Sequence, residues 1–332
     1  VSLFSAASGK PAEGDEAHPP SETRVTVLRV ATAALTLLAV IGLVVALSQL
    51  SSAYSQVQGE TWAWLGPAVA AALVVYLARA LGLLQAVAVT LPLVRTTVLF
   101  GSESFTTMAT PGGVGSFALT VRYLNRHGLD LPAATSSASL ASLVATVIQL
   151  LALLIALPFT LAVFSAADVD AGSLPSVGLV ALGVLAVATL VAVLWHVPRL
   201  RTRALPPLRR AVGNVAVVLR QPGTALRLAG AEALVPVAQV LCLWATLSVF
   251  HLSTSVAVLV LVTQLANLAQ RAVPVPGALG APEAVLVAGL AAAGLPKGPV
   301  LAAAVTYRML TYWLPPVPGF FGIRALHHRG DL

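Results

Sequence analysis

Six charged side chains interrupt the apolar stretches of this chain: Arg79, Glu103, Glu232, Arg271, Glu283 and Arg308. A guanidinium presents a planar fork of donors that matches the oxygens of a phosphate, so Arg271 and Arg308 suit an anion. Glu283 suits either an arginine that it orients or a cationic group on a ligand. Two proline-glycine signatures lie among these charges. Pro111-Gly112-Gly113 with Gly115 returns 165 residues later (276 − 111) as Pro276-Gly277-Ala278 with Gly280. Proline lacks an amide donor and glycine admits backbone angles that other residues avoid. Each signature therefore leaves backbone groups that a regular helix does not satisfy. A helix starting just after Gly115 or Gly280 would turn its free amides toward an anion.

Composition identifies the elements that must carry these groups. Hydrophobic residues make up 58% of the 332 positions and charged residues 9%, where soluble proteins average about 45–50% and about 25%. The chain reads as an all-α polytopic membrane protein. A charge at the centre of a membrane helix costs about 2.5–3.5 kcal/mol on insertion scales, so the six charges are expected to face a bundle interior and find partners. The single cysteine, Cys242, can form no intramolecular disulfide and reads as packing, with no metal site and no cofactor expected. No Walker loop is present, which argues against direct ATP hydrolysis.

Hydropathy gives six spans, near 25–50, 62–90, 133–165, 176–197, 228–250 and 300–325. Two further regions, 95–128 and 254–295, contain the proline-glycine signatures; neither half of 95–111 plus 113–128 is comfortably long or apolar enough to cross alone, and 254–272 with 281–295 reads the same way. They read as re-entrant hairpins with tips at Pro111, Gly112, Gly113 and Gly115, and at Pro276, Gly277 and Gly280; eight to ten helical segments is the alternative count. Such tips must line a protein-walled or wet cavity, because lipid cannot satisfy them. Segment 198–227 carries seven arginines and no acid, which places it on the cytoplasmic side. Counting from it puts Arg122 and Arg126 inside, Asp168 and Asp170 outside, and both termini in the cytoplasm of a cell inner membrane. The net charge of +7 then belongs to the inner leaflet and calls for no nucleic acid.

The chain thus divides into a polar, disordered tail (1–24), one transmembrane domain (25–325) and a short tail (326–332). Within the domain, a first repeat of about 25–165 and a second of about 176–325 run in opposite orientation, an inverted repeat with its site near mid-bilayer. The start at Val1 rather than Met leaves room for an upstream segment.

The stretch Ala272-Val-Pro-Val-Pro-Gly-Ala-Leu-Gly-Ala-Pro-Glu283, followed by Gly289-Leu290, Gly294-Leu295 and Tyr307-Arg308-Met309-Leu310-Thr311-Tyr312-Trp313, resembles the lysylphosphatidylglycerol synthase transmembrane family, also called flippase-like. Phe105 to Leu131 resembles the family's weaker first signature, with Arg122 in the place of its downstream arginine. Similar proteins often carry an acid after the first glycine motif and a charged pair at the start of the next span. Here those places read Ser116-Phe117-Ala118 and Ser139-Leu140-Ala141-Ser142. The resemblance implies movement of a charged lipid, such as an aminoacylated phosphatidylglycerol or a polyprenyl-linked sugar. It implies no enzymatic activity here, since the soluble transfer domain that related proteins append has no counterpart in these residues. A separately encoded synthase is the implied partner, and a homodimer is compatible with the class.

Each candidate substrate contact (Arg271, Glu283, Arg308, Arg122, Glu103 and Glu232) also has a structural reading. Glu283 with Arg308 makes an internal staple or a substrate contact, and one does not exclude the other. Arg122 and Arg126 set topology, although Arg122 sits at the motif-matched place. Arg79 is expected to snorkel to the membrane surface. Glu103 and Glu232 read as proton carriers or as partners of nearby arginines. The leading reading is a non-enzymatic lipid translocase working by alternating access. The alternatives are a membrane-embedded transferase and an accessory subunit of lipid or glycolipid synthesis.

Overall fold

The computed structural model describes residues 59–87, 89–109, 114–166, 222–272 and 280–332. The first expected span, the span at 176–197, almost all of the arginine segment, and the tip residues Pro111, Gly112, Gly113, Pro276 and Gly277 lie outside them. The described residues are helical, with no strand among them. After a 3-10 turn at Gly59–Trp64 come α1 (Leu65–Ala86), α2 (Leu93–Ala109), α3 (Val114–Arg126) and α4 (Leu131–Ala166). They are followed by α5 (Pro222–Val249), α6 (Val256–Ala272), α7 (Ala281–Ala292), α8 (Lys297–Arg308), a π-helical turn (Met309–Trp313) and α9 (Pro316–His328).

Three stretches among the described residues are long and apolar enough to cross a membrane: Trp62–Ala86, Leu131–Thr160 and Pro222–Val249. They fall where hydropathy places spans. On α4, Leu154, Ile155 and Phe159 are exposed, as suits side chains that meet lipid. The inward face of α1 is built from small residues, Ala68, Ala71, Ala72, Ala78, Ala80 and Gly82, which lets α5 approach closely. That pair is the most extensive in the bundle.

Breaks between the shorter helices follow local chemistry. The first proline-glycine signature separates α2 from α3, and the second separates α6 from α7. The turns that follow are near copies. Gly128 and Gly294 both adopt positive φ, +95° and +86°, a conformation that costs glycine little. In each, the next leucine donates its amide back to the leucine five positions earlier, Leu129 to Leu124 and Leu295 to Leu290, both at 3.3 Å. This is the closing bond of a Schellman-type helix end.

Packing repeats as well. α1 packs on α2, α2 on α3, α3 on α4 and α1 on α4; α5 packs on α6, α6 on α7, α7 on α8 and α5 on α8. Across the two groups, α4 meets α6 while α9 meets α2. The α2–α9 contact rests on glycine: a Cβ on Gly319 would stand 2.5 Å from the Gly101 carbonyl oxygen, and one on Gly322 would stand 2.5 Å from Ser102 Oγ.

Two regions differ from expectation. Residues 300–325, read as one span, divide into α8, the π turn and α9, because Pro315, Pro316 and Pro318 cannot continue a regular hydrogen-bond ladder. Leu314 N instead donates to Met309 O at 2.9 Å. Of residues 326–332, read as a tail, 327–330 are exposed while the other three are buried. Leu326 and Leu332 are buried. Asp331, also buried, accepts from Arg95 Nη1 at 3.1 Å and lies 3.5 Å from His127 Nε2. A carboxylate that finds an arginine partner has reason to stay.

Replacing Gly319 by Leu is expected to force α9 off α2, with a loss of about 1–3 kcal/mol typical of overpacking. The measurement is thermal unfolding in detergent, with Gly298→Ala, where a Cβ meets nothing within 4 Å, as the control that holds its Tm. Equal Tm for both variants contradicts the close approach.

Candidate functional site

Glu283 occupies the third position of α7, behind Gly280 with its φ of +89° and Pro282 in the first turn. This is where a helix has free amides and where an acid is favoured. One carboxylate oxygen accepts the Gly280 amide at 2.9 Å. The other accepts Arg308 Nε at 2.7 Å, a charge-assisted hydrogen bond of the strong kind. Arg308 ends α8 and is buried, 5% exposed. Its Nη1 donates to Gln270 Oε1 on α6 at 3.0 Å, and its guanidinium carbon sits 4.2 Å from the centroid of the Tyr312 ring on the π turn. Four elements therefore fix one guanidinium. Its remaining nitrogen, Nη2, has no hydrogen-bond partner among the described residues.

A second charged set forms where α1, α2 and α3 converge. Glu103 is 3% exposed; it pairs with Arg79 Nη2 at 3.2 Å and accepts a short hydrogen bond from Thr120. Arg79 also lies over the Phe100 ring, 4.6 Å from its centroid. Arg79, whose side chain is 43% exposed, thus supplies the counter-charge that a buried carboxylate needs.

Both sets border one cavity of about 710 Å3, and Arg79, Glu103, Glu232, Arg271 and Arg308 all line it. Arg271, on α6, is exposed and reaches only Thr146 Oγ1 on α4, at 3.4 Å. No carboxylate pairs with it among the described residues. Glu283 stands just behind the wall, holding Arg308. Arg122 does not join them; it is exposed on α3 and lines no part of the cavity. Of the hairpin-tip glycines, Gly280 donates to Glu283, and Gly115 lies in the first turn of α3.

Sequence reasoning missed the carboxamides. Gln239, Asn267 and Gln270 line the cavity, with Asn267 Nδ2 donating to Gln239 Oε1 at 2.9 Å. The available signal was the spacing Gln264, Asn267, Gln270 in an otherwise apolar stretch, which marks one stripe of a helix.

A family model described as the lysylphosphatidylglycerol synthase TM region matches residues 27–319. No curated protein matches the chain.

A double-mutant cycle of Glu283→Gln and Arg308→Ala, read by unfolding in detergent, is expected to return a coupling of about 1–3 kcal/mol, as for residues in direct charged contact. Additivity within about 0.5 kcal/mol would show that the pair does not act as a unit.

Proposed function

The chain belongs to the lysylphosphatidylglycerol synthase transmembrane family, and from that premise we propose that it is a lipid translocase, moving a phospholipid or lipid-linked phosphate between leaflets without altering it covalently. Family membership gives a membrane protein with a lipid-related role. The observation that carries the finer reading is Arg308. Its guanidinium is oriented by Glu283 and Gln270, buried at the wall of a cavity, and left with Nη2 unpaired among the described residues. A buried donor without a partner costs about 1–3 kcal/mol or more. An anionic headgroup oxygen removes that cost, and Arg271 supplies a second positive charge for it. The acyl chains stay in the surrounding lipid while the headgroup passes.

Alternating access is the mechanism we assign, in a protein of the cell inner membrane with both termini cytoplasmic. Support comes from the spacing of corresponding elements. α2 and α6 begin 163 residues apart (256 − 93), α3 and α7 167 (281 − 114), and α4 and α8 166 (297 − 131), all close to the interval between the proline-glycine signatures. The matching contacts within each group of helices support the same duplication. In an inverted repeat the two halves rock about a site at their interface. Lipid synthesis is then the work of a separately encoded synthase.

The test is reconstitution of the full chain in liposomes carrying fluorescent phosphatidylglycerol or its lysylated form, with dithionite reporting loss of inner-leaflet protection. Wild type accelerates the loss, and Arg308→Ala slows it by about 10–100-fold, the equivalent of one charged hydrogen bond. Arg308→Lys restores only part, since an ammonium keeps charge without the fork. Equal rates for wild type and Arg308→Ala reject the site; covalent change of the lipid replaces the reading with a membrane-embedded transferase.

A further inference from the structure

Among the described residues, Glu232 is a cavity-lining acid to which the translocation reading gives no role. It sits in the middle of α5, 5% exposed, with its carboxylate against Gly82 of α1. A Cβ at Gly82 would collide with the carboxylate and stand 2.9 Å from its carbon. No hydrogen bond or ion pair reaches that carboxylate among the described residues. Beside it, one guanidinium serves two acids: Arg79 pairs with Glu103 at 3.2 Å and is also the charge whose field reaches Glu232.

The other titratable or charged groups on the surrounding elements are accounted for. On α1 there is Tyr76, which accepts a hydrogen bond from Ser104; α4 carries no charged residue. Arg271 on α6 is bonded to Thr146, and Arg308 on α8 to Glu283 and Gln270. Tyr307, also on α8, lines the cavity but brings no charge of the needed sign. On α5 itself, Arg227 is five positions away, at the start of the helix, and Cys242 is ten positions away. Arg79, Glu103 and Glu232 thus comprise two acids and one guanidinium, with Arg271 a further cation on the cavity wall that bonds the neutral Thr146.

We infer that Glu232 is a proton-binding site through which lipid movement is coupled to a proton gradient. The inference rests on the translocation reading. A proton enters from water on one side of the membrane and bonds to a carboxylate oxygen, giving a neutral carboxyl. When the cavity opens to the other side the same O–H bond breaks, and the proton leaves to water there. A metal cation fits less well, since it requires several oxygen ligands and the neighbour of Glu232 is the backbone of Gly82. A headgroup ammonium is disfavoured by the enclosure of the carboxylate.

Protonation bears on the moving parts. Glu232 lies at the α1–α5 contact, where an ionised group resists separation from Arg79 and a neutral one does not. One turn onward is Pro236, which has no amide to donate to the Glu232 carbonyl. The helix is thus locally less constrained at the residue whose charge changes.

The experiment uses the full chain in phosphatidylglycerol liposomes with a trapped pH dye and fluorescent phosphatidylglycerol, with and without a one-unit pH step. Wild type is expected to move lipid up to about tenfold faster under the step, with a dye signal that tracks lipid movement. Glu232→Gln brings the ratio of rates with and without the step to about one. Glu232→Asp keeps a ratio above one, which decides the matter if the glutamine variant fails to fold. Arg308→Ala lowers both rates and preserves the ratio. Lipid movement in wild type without gradient response or dye signal overturns this inference alone; no lipid movement under any condition overturns the translocation reading with it. A gradient response retained by Glu232→Gln, or produced equally by sodium, also overturns it. So does a Glu232→Gln effect confined to selectivity between lysylated and unmodified lipid.

Discussion

Hydrocarbon offers no hydrogen bonds, and the arrangement around Glu283 is an answer to that fact. The amides at the start of α7 have no acceptor within the helix and need partners from elsewhere in the protein. Glu283 supplies one, accepting the Gly280 amide with one oxygen while holding Arg308 with the other. A single carboxylate thereby ties the start of α7 to the end of α8. It also fixes the direction in which the guanidinium presents its free nitrogen. Removing Glu283 leaves the buried Arg308 without its counter-charge, a cost of about 1–3 kcal/mol or more, which makes the pair a structural fastening and an oriented donor at once.

The two groups of helices share geometry and differ in chemistry. Their turns repeat down to the glycine and the leucine-to-leucine bond. Yet Glu283 and Arg308 have no counterparts in the first group, where the corresponding stretches carry small and apolar residues. Its charge instead comes from Arg79, on α1, and Glu103, on α2, with Thr120 as a neutral donor. Turn geometry and packing recur in the two groups of helices, while their charged side chains differ. That asymmetry places an oriented, partly unsatisfied guanidinium at one wall and an acid-rich cluster at the other.

Much of this was legible in residues. The three long apolar stretches emerge as helices, with Pro158 and Pro236 accommodated inside the second and third. Each proline-glycine signature falls between two described helices, α2 and α3 for the first and α6 and α7 for the second. Pairing of Glu283 with Arg308 followed from the cost of leaving either alone in an apolar segment. Other features depended on tertiary neighbours. Arg79 finds its partner, Glu103, on another helix. The fastening of Asp331 to Arg95 spans 236 positions, which no local pattern encodes. Arg122 matches a motif, but the α3 face on which it lies is turned away from the cavity. The Gly128-Leu129 and Gly294-Leu295 echo was present in the sequence, though its meaning required the shared positive φ.

We propose that Arg308 holds an anionic headgroup, and a cryo-EM map of the full chain in phosphatidylglycerol nanodiscs would show it. The expected result is a lipid phosphate oxygen about 2.7–2.9 Å from Arg308 Nη2, the range of a charge-assisted hydrogen bond, with Glu283 still on Nε. A phosphate bound elsewhere, with Nη2 satisfied by a protein group, would contradict it.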